Sequence, residues 1–348
     1  MGFERLVGVS NVPGLVPGRV STGPTQTHPC GVQRVGIVTR VSSRFNLLRP
    51  VPFVDVHVER DNRLFVEPSA IRFAAAAGDS YAQAAELRFT TFFDEVLGSA
   101  RRYDRPRGLD LLGRLHEPNE TRLGMTRVGV NGHGVGSGLA DNLWQEIRDN
   151  PACSRAVLVR RIEDMAPYIQ RIGPDLISDL CTRIAFDVLL DFTASMMIQY
   201  PDLGRRTSVC REDVWDSDGL RWATRRERLP TVDGKRLLLV PTNWVWPHQL
   251  LNAPSFYQVQ ALGRLQRLRT QPPRTRGGRP VAPTKYSLRY QYPGVRPTNV
   301  RQAVAAIDEG INLTDRHASR VQRRLAEKQK TAEQVNALIQ PSSVGLAG

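Results

Sequence analysis

The stretch Leu229-Pro230-Thr231-Val232-Asp233-Gly234-Lys235-Arg236-Leu237-Leu238-Leu239-Val240 decides the fold class. Asp-Gly is a preferred pair for a two-residue turn that needs positive φ at both positions, and the flanking aliphatic residues suit paired strands. An antiparallel hairpin is expected, with 229–232 running out and 236–240 returning. A second hairpin is expected near 51–68. There Val54, Val56 and Val58 alternate with Asp55, His57 and Glu59, Asp61-Asn62 turns the chain, and Leu64-Phe65-Val66 returns before Pro68.

Helical spacing dominates elsewhere. Over 80–97, Ala85, Phe89, Phe92, Phe93 and Val96 share one side, with Ser80 as the expected N-cap and Gly98 as the expected stop. Further helices are expected over 109–115, over 139–149 with Pro151 ending it, and over 174–200 with Gly173-Pro174 opening it. So many helical residues between the two hairpins argue against a regular parallel βαβ array. The expected class is α+β, mostly helical with short antiparallel β-hairpins. Its expected parts are a disordered N-terminal arm (1–45), a single core domain (46–265), a basic Pro/Arg-rich linker (266–299) and a C-terminal helical extension with a frayed end (300–348). Val304, Ile307, Ile311, Val321, Leu325, Val335 and Leu338 give that extension an apolar face too weak to fold alone, so it docks, pairs with another chain or frays.

No run approaches the roughly 18 to 20 apolar residues of a membrane helix. The most apolar stretch, 184–198, is interrupted by Asp187 and Asp191. The first twenty residues lack a secretory pattern, and Cys30, Cys153, Cys181 and Cys210 are too scattered for a zinc site or a disulfide framework. A cytoplasmic location without a membrane partner is expected. The net charge is +14, which favours a nucleic-acid partner. Only Lys235, Lys285, Lys328 and Lys330 are lysines among 48 basic residues, leaving 44 arginines. A GC-rich genome would produce the same skew without any selection for binding.

The segment His116-Glu117-Pro118-Asn119-Glu120-Thr121-Arg122-Leu123-Gly124 leads into Gly129, Gly132, His133, Gly134, Gly136 and Gly138 before a helix. Bare glycines let successive N–H groups converge, and a helix N-terminus adds its own, so Gly132, Gly134, Gly136 and Gly138 are candidate phosphate ligands. The spacing is neither GxxxxGK[ST] nor GxGxxG, and a plain surface loop would look similar. Glu117 and Glu120, with Asp175 and Asp179 from the helix opened by Pro174, are candidate ligands for a divalent cation, Mg or Mn. Asp175, Asp179, Asp187 and Asp191 form a stripe in which Arg183 could instead pair with Asp179 or Asp187. His133 and Arg122, with Glu117 and Glu120, are the candidate catalytic groups. Asp55, His57 and Glu59 read as the solvent face of a strand rather than a metal site, and the thiols read as buried and structural.

In the C-terminal third, Arg267, Arg269, Arg274, Arg276 and Arg279 accumulate near Tyr286, Tyr290 and Tyr292. Cations interleaved with aromatics suit a single-stranded nucleic acid, although a solvated linker has a similar composition. Two functions are therefore expected in competition. One is a metal-dependent phosphodiester or phosphoryl-transfer enzyme acting on nucleic acid or a nucleotide. The other is a non-catalytic nucleic-acid-binding protein using the arginine-rich region. A third possibility is an assembly protein that pairs with another protein through its last helix.

Overall fold

Burial begins earlier than the composition suggests. In a computed structural model that describes residues 39–124, 137–155 and 157–339, Val41 is fully buried within a short helix, α1 (Val41–Arg44). The arm expected over 1–45 therefore gives way to packed structure by residue 41. The remainder of that arm lies outside the described residues. Ser42 is fixed by Asp55, whose two carboxylate oxygens accept from the Ser42 N–H and hydroxyl at 2.7 Å each.

The hairpin expected near 51–68 does not form. Residues 53–58 are extended and buried on both sides, and Asp55 and His57 lie inside with the valines. Their partners are distant: the Val54 N–H donates to the Val240 carbonyl at 2.8 Å, and bridges join Arg40 to His57 and Phe53 to Pro241. The solvent-face reading of Asp55 and His57 is corrected accordingly. Alternation marked the extended backbone but named no partner. Strand β1 (Phe65–Val66) pairs antiparallel with 245–246, not with 54–58.

Helix α2 (Pro68–Ala76) starts on proline, and Glu67 caps it through the Ser69 N–H. In α3 (Ser80–Arg101) the cap is Asp79, one residue before the expected Ser80, with its carboxylate accepting from the Ala82 N–H at 3.0 Å. The helix runs past Gly98 because the chain reverses later, at Tyr103 with φ 57°. Phe89, Phe92, Phe93 and Val96 are buried as expected. There follow α4 (Arg105–Gly113), α5 (Ser137–Asp149) and α6 (Pro151–Ser154), in which Pro151 opens a new short helix after ending the previous one.

The long helix expected over 174–200 is two helices, α7 (Pro174–Ile184) and α8 (Phe186–Gln199), broken at Ala185 with ψ 21°. Gly173-Pro174 opens the first as expected. Strands β2 (Thr207–Asp216) and β3 (Arg221–Val232) form a ten-pair antiparallel ladder from Thr207↔Pro230 to Asp216↔Arg221. Its turn is held by Asp216, which accepts from the N–H groups of Asp218 and Gly219. Cross-strand Trp215 and Trp222 sit edge-on to Phe92 at 5.1 and 5.5 Å, which seats the sheet on α3.

The Asp233-Gly234 turn forms as expected, with φ of 49° and 76°. Its return strand, β4 (Lys235–Arg236), is shorter than expected. Leu237, Leu238, Leu239 and Val240 are all buried, so this run threads the core. Its N–H groups reach the Pro230 carbonyl, the Glu120 carbonyl and the Thr193 hydroxyl. Strand β5 (Val245–Trp246) then completes the pair with β1.

The C-terminal part docks on this core. Helix α9 (Ala253–Phe256) passes through a π-helical turn, Tyr257–Ala261, into α10 (Leu262–Leu268). The linker expected over 266–299 holds the end of α10, α11 (Lys285–Gln291) and the start of α12 (Val295–Asp308); its longest irregular stretch is 269–284, which a Gln271–Val281 bridge closes. Then come α13 (Leu313–Glu327) and α14 (Ala332–Ala337). The Tyr168 and Thr314 hydroxyls lie 2.6 Å apart, and the ring of His317 packs on Phe256 at 5.5 Å. Arg40 donates to the carbonyls of Asn336 and Ile339 at 2.9 and 2.7 Å, tying the start of the described chain to its end. The fold is α+β and mostly helical, with two small antiparallel sheets among the described residues. No helix among the described residues is long and apolar enough to cross a membrane.

Candidate nucleic-acid interface

Of the residues expected to hold phosphate, Gly132, Gly134 and Gly136 lie outside the described residues, as does His133. Gly138 is the second residue of α5. Glu117 is exposed. Glu120 instead turns toward the sheet, where Arg236 binds it at 2.9 Å and binds Glu212 at 3.1 Å. Arg122 is left-handed (φ 56°) and spends its guanidinium on the Asn119 carbonyl, 2.7 Å away. The start of α7 does meet this region: a Cβ on Gly124 would lie 2.9 Å from Asp175 Oδ1. Asp179 stands near Cys181, whose thiol is pushed well up first by burial and then by Glu163, Glu67 and Asp179. Among the described residues no group of three or more His, Cys, Asp or Glu side chains is arranged to hold a metal ion.

The aspartate stripe separates along the two helices. Asp187 receives Arg88 at 2.9 Å, and Asp191 receives Arg225 at 2.6 Å. Arg183 pairs with neither expected aspartate. It is buried against Phe186 and donates to Glu212 at 3.3 Å and to the Asp213 carbonyl at 2.8 Å. Buried acids not singled out in the sequence also lie in the interior. Glu163 is held by Arg72, and Asp164 by Arg161 and two backbone N–H groups. Cys153, Cys181 and Cys210 are buried thiols, and burial pushes Cys153 up to about 12.

Against this background of matched charges, the C-terminal surface differs. Residues 234–307 contain 12 Lys and Arg and no Asp or Glu. Outside that run, the chain holds 36 basic and 34 acidic residues, a net of +2. Arg267, Arg269, Arg274, Arg276, Arg279 and Arg289 are exposed, and among the described residues none of them has an ion-pair partner. Arg264 of the same run is buried, with its two terminal nitrogens donating to Gln302 and Glu309.

Beside these cations lies a groove of about 700 Å³ lined by Pro254, Tyr257, Gln258, Tyr286, Arg289, Tyr290, Pro293 and Val295. It is built where the π turn meets α11 and the start of α12. Leu288 is fully buried with Leu262 and Leu265, which fixes the inner face of α11 and leaves Tyr286 and Tyr290 outward. Those two rings are one turn apart and 5.1 Å between centroids, with hydroxyls 2.8 Å apart. Tyr257 is buried, and its hydroxyl donates to the Tyr292 carbonyl at 2.5 Å. Tyr292 is engaged by its neighbours, with the guanidinium groups of Arg269 and Arg301 over its ring at 5.2 and 6.0 Å.

The sequence therefore located the arginines and Tyr286 and Tyr290, but not Tyr257, Gln258, Arg289 or the prolines. The missed signal was legible: at the chain's own average of 34 acids in 348 residues, about seven would fall in a run of 74, and none does. No curated protein and no solved structure matches the chain. Residues 46–252 match the family described as Domain of unknown function (DUF8370), and the chain belongs to that family; the groove and the exposed arginines beside it lie after the matched residues.

Proposed function

We propose that the protein binds nucleic acid through the arginine-bearing surface of residues 253–307, a stretch without Asp or Glu. The observation that supports this reading is the location of the charge. Arginine is about as dense in 234–307 as elsewhere, 10 in 74 residues against 44 in 348; what sets the run apart is that no acid falls in it, so +12 of a net +14 lies there and the rest is nearly neutral. Six exposed arginines that lack an ion-pair partner among the described residues can neutralise phosphates, and such contacts dominate the affinity of nucleic-acid-binding proteins. The phosphodiester reading, by contrast, depends on a glycine cradle of which Gly132, Gly134 and Gly136 lie outside the described residues.

Fluorescence anisotropy with labelled single-stranded and duplex DNA, titrated across potassium chloride concentration, tests the proposal. Affinity is expected to fall linearly in log–log form as salt rises. Substituting Arg274→Ala, Arg276→Ala and Arg279→Ala together is expected to lower the slope by about 2, since each contact to a single strand contributes about 0.7. These side chains are exposed, so folding is not at stake. Failure of both DNAs to bind at low salt overturns the proposal, as does a slope that the triple variant leaves unchanged.

A further inference from the structure

We propose that the tyrosine groove between the π turn and α11 receives unpaired nucleobases, so that the preferred ligand is a single strand. This inference rests on the nucleic-acid reading above and names the form of nucleic acid that the surface takes. Tyr286 and Tyr290 are 67% and 72% exposed, although an aromatic ring in water forgoes a large apolar gain. Their mutual edge-to-face contact and joined hydroxyls fix both rings on one helix, which limits the ordering cost on binding. Behind them, Tyr257 is locked by its bond to Tyr292, and Pro254, Pro293 and Val295 supply a stiff apolar wall.

The groove of about 700 Å³ falls within the range of roughly 300 to 1,000 Å³ common for small-ligand sites, enough for a flipped-out base with its sugar. Arg289 is the single charged lining residue. A planar neutral base against the rings, with its phosphate at Arg289, satisfies both halves of the lining. Duplex DNA keeps its base faces covered by neighbouring pairs and cannot make the stacking contact. A proline-rich peptide would suit the tyrosines and prolines, but it leaves the surrounding cations without a counter-charge. The π turn at 257–261 rotates Tyr257 and Gln258 relative to a regular helix, and such turns concentrate at functional sites.

Anisotropy with labelled oligothymidylate, a duplex of equal length and a proline-rich peptide tests the inference on the full chain. Tyr286→Ala with Tyr290→Ala is expected to weaken oligothymidylate about tenfold to a hundredfold, to leave the duplex nearly unchanged and to preserve the salt slope. Tyr286→Phe with Tyr290→Phe is expected to retain single-strand affinity, because the ring and not the hydroxyl carries stacking. An unchanged melting temperature in both variants excludes misfolding. Equal affinity for single strand and duplex, unaffected by the tyrosine variants, overturns the stacking inference while the nucleic-acid reading stands. Absence of binding to both DNAs at low salt overturns the two together. Peptide binding that outcompetes oligothymidylate replaces a base with a polyproline segment as the occupant.

Discussion

At the scale of single residues, the interior is organised by acids whose charge is costly to bury. Glu67 is the clearest case. Its oxygens accept from the backbone N–H groups of Ser69 and Leu250 at 3.1 and 2.9 Å, so one side chain joins the start of α2 to the loop before α9. Burial nonetheless dominates those bonds and, with Glu163 nearby, pushes the carboxyl from 4.5 to about 7. The folded protein then holds a proton here that the unfolded chain releases between pH 4.5 and about 7. This group's contribution is greatest below that window and declines as pH rises through it, by on the order of 3 kcal/mol. Glu67→Gln is expected to remove that decline while costing about 1 to 3 kcal/mol throughout, because its amide nitrogen must face a backbone N–H. Urea denaturation at both ends of the window measures this. Parallel pH profiles for the two proteins would refute the assignment.

At the scale of elements, docking decides more than propensity. Helix α13 is rich in arginine and would not persist alone, yet Leu313, Thr314, His317, Val321 and Leu325 are buried. The His317 ring lies on Phe256 with both nitrogens lacking hydrogen-bond partners, and burial lowers it to about 4. Its sign is opposite to that of Glu67. The unfolded chain takes up a proton below about 6.5 that the docked helix refuses until about 4, so docking is fully stable above 6.5 and weakens as pH falls through 4. His317→Leu is expected to abolish this acid sensitivity, worth on the order of 3 kcal/mol. Hydrogen exchange of α13 amides at low pH provides the readout, and equal acid loss of protection in both proteins would dismiss His317 as the cause. The same principle explains the corrected elements. The segment expected as a strand at 54–58 forms none, and its hydrogen bonds go to 39–41 and 240 because burial on both faces favoured a central position over a local hairpin.

At the scale of the whole molecule, the two ends of the described chain support each other. Arg40 caps the carbonyls of Asn336 and Ile339, the Asn336 side chain accepts from the Asp55 N–H at 2.8 Å, and Val335 and Ile339 enter the main core. A chain ending at Lys330 is therefore expected to melt at lower temperature by several degrees, since burying two aliphatic side chains contributes about 3 to 6 kcal/mol. Calorimetry of the two lengths checks it; an unchanged melting temperature would show that α14 is dispensable. Charge also acts at this scale. The region matched to the family carries acids in near balance with its basic residues, whereas residues 253–307 beyond it hold no Asp or Glu.

What the sequence determined by itself was set by local sterics and by counting. Asp233-Gly234 turns because both positions need positive φ. Gly173-Pro174 opens a helix because proline's fixed φ suits the first turn, and the one-sided row from Phe89 to Val96 had to be buried. The concentration of positive charge was likewise written in the order of residues. Only the tertiary structure decided which of two exchangeable partners each charge would take. Glu120 meets Arg236, and Arg183 meets Glu212, across 116 and 29 residues. It also decided that Tyr286 and Tyr290 stay open while Tyr292 is covered. The physical reason is that backbone sterics act over a few bonds, whereas desolvation depends on groups that meet only when the chain has folded.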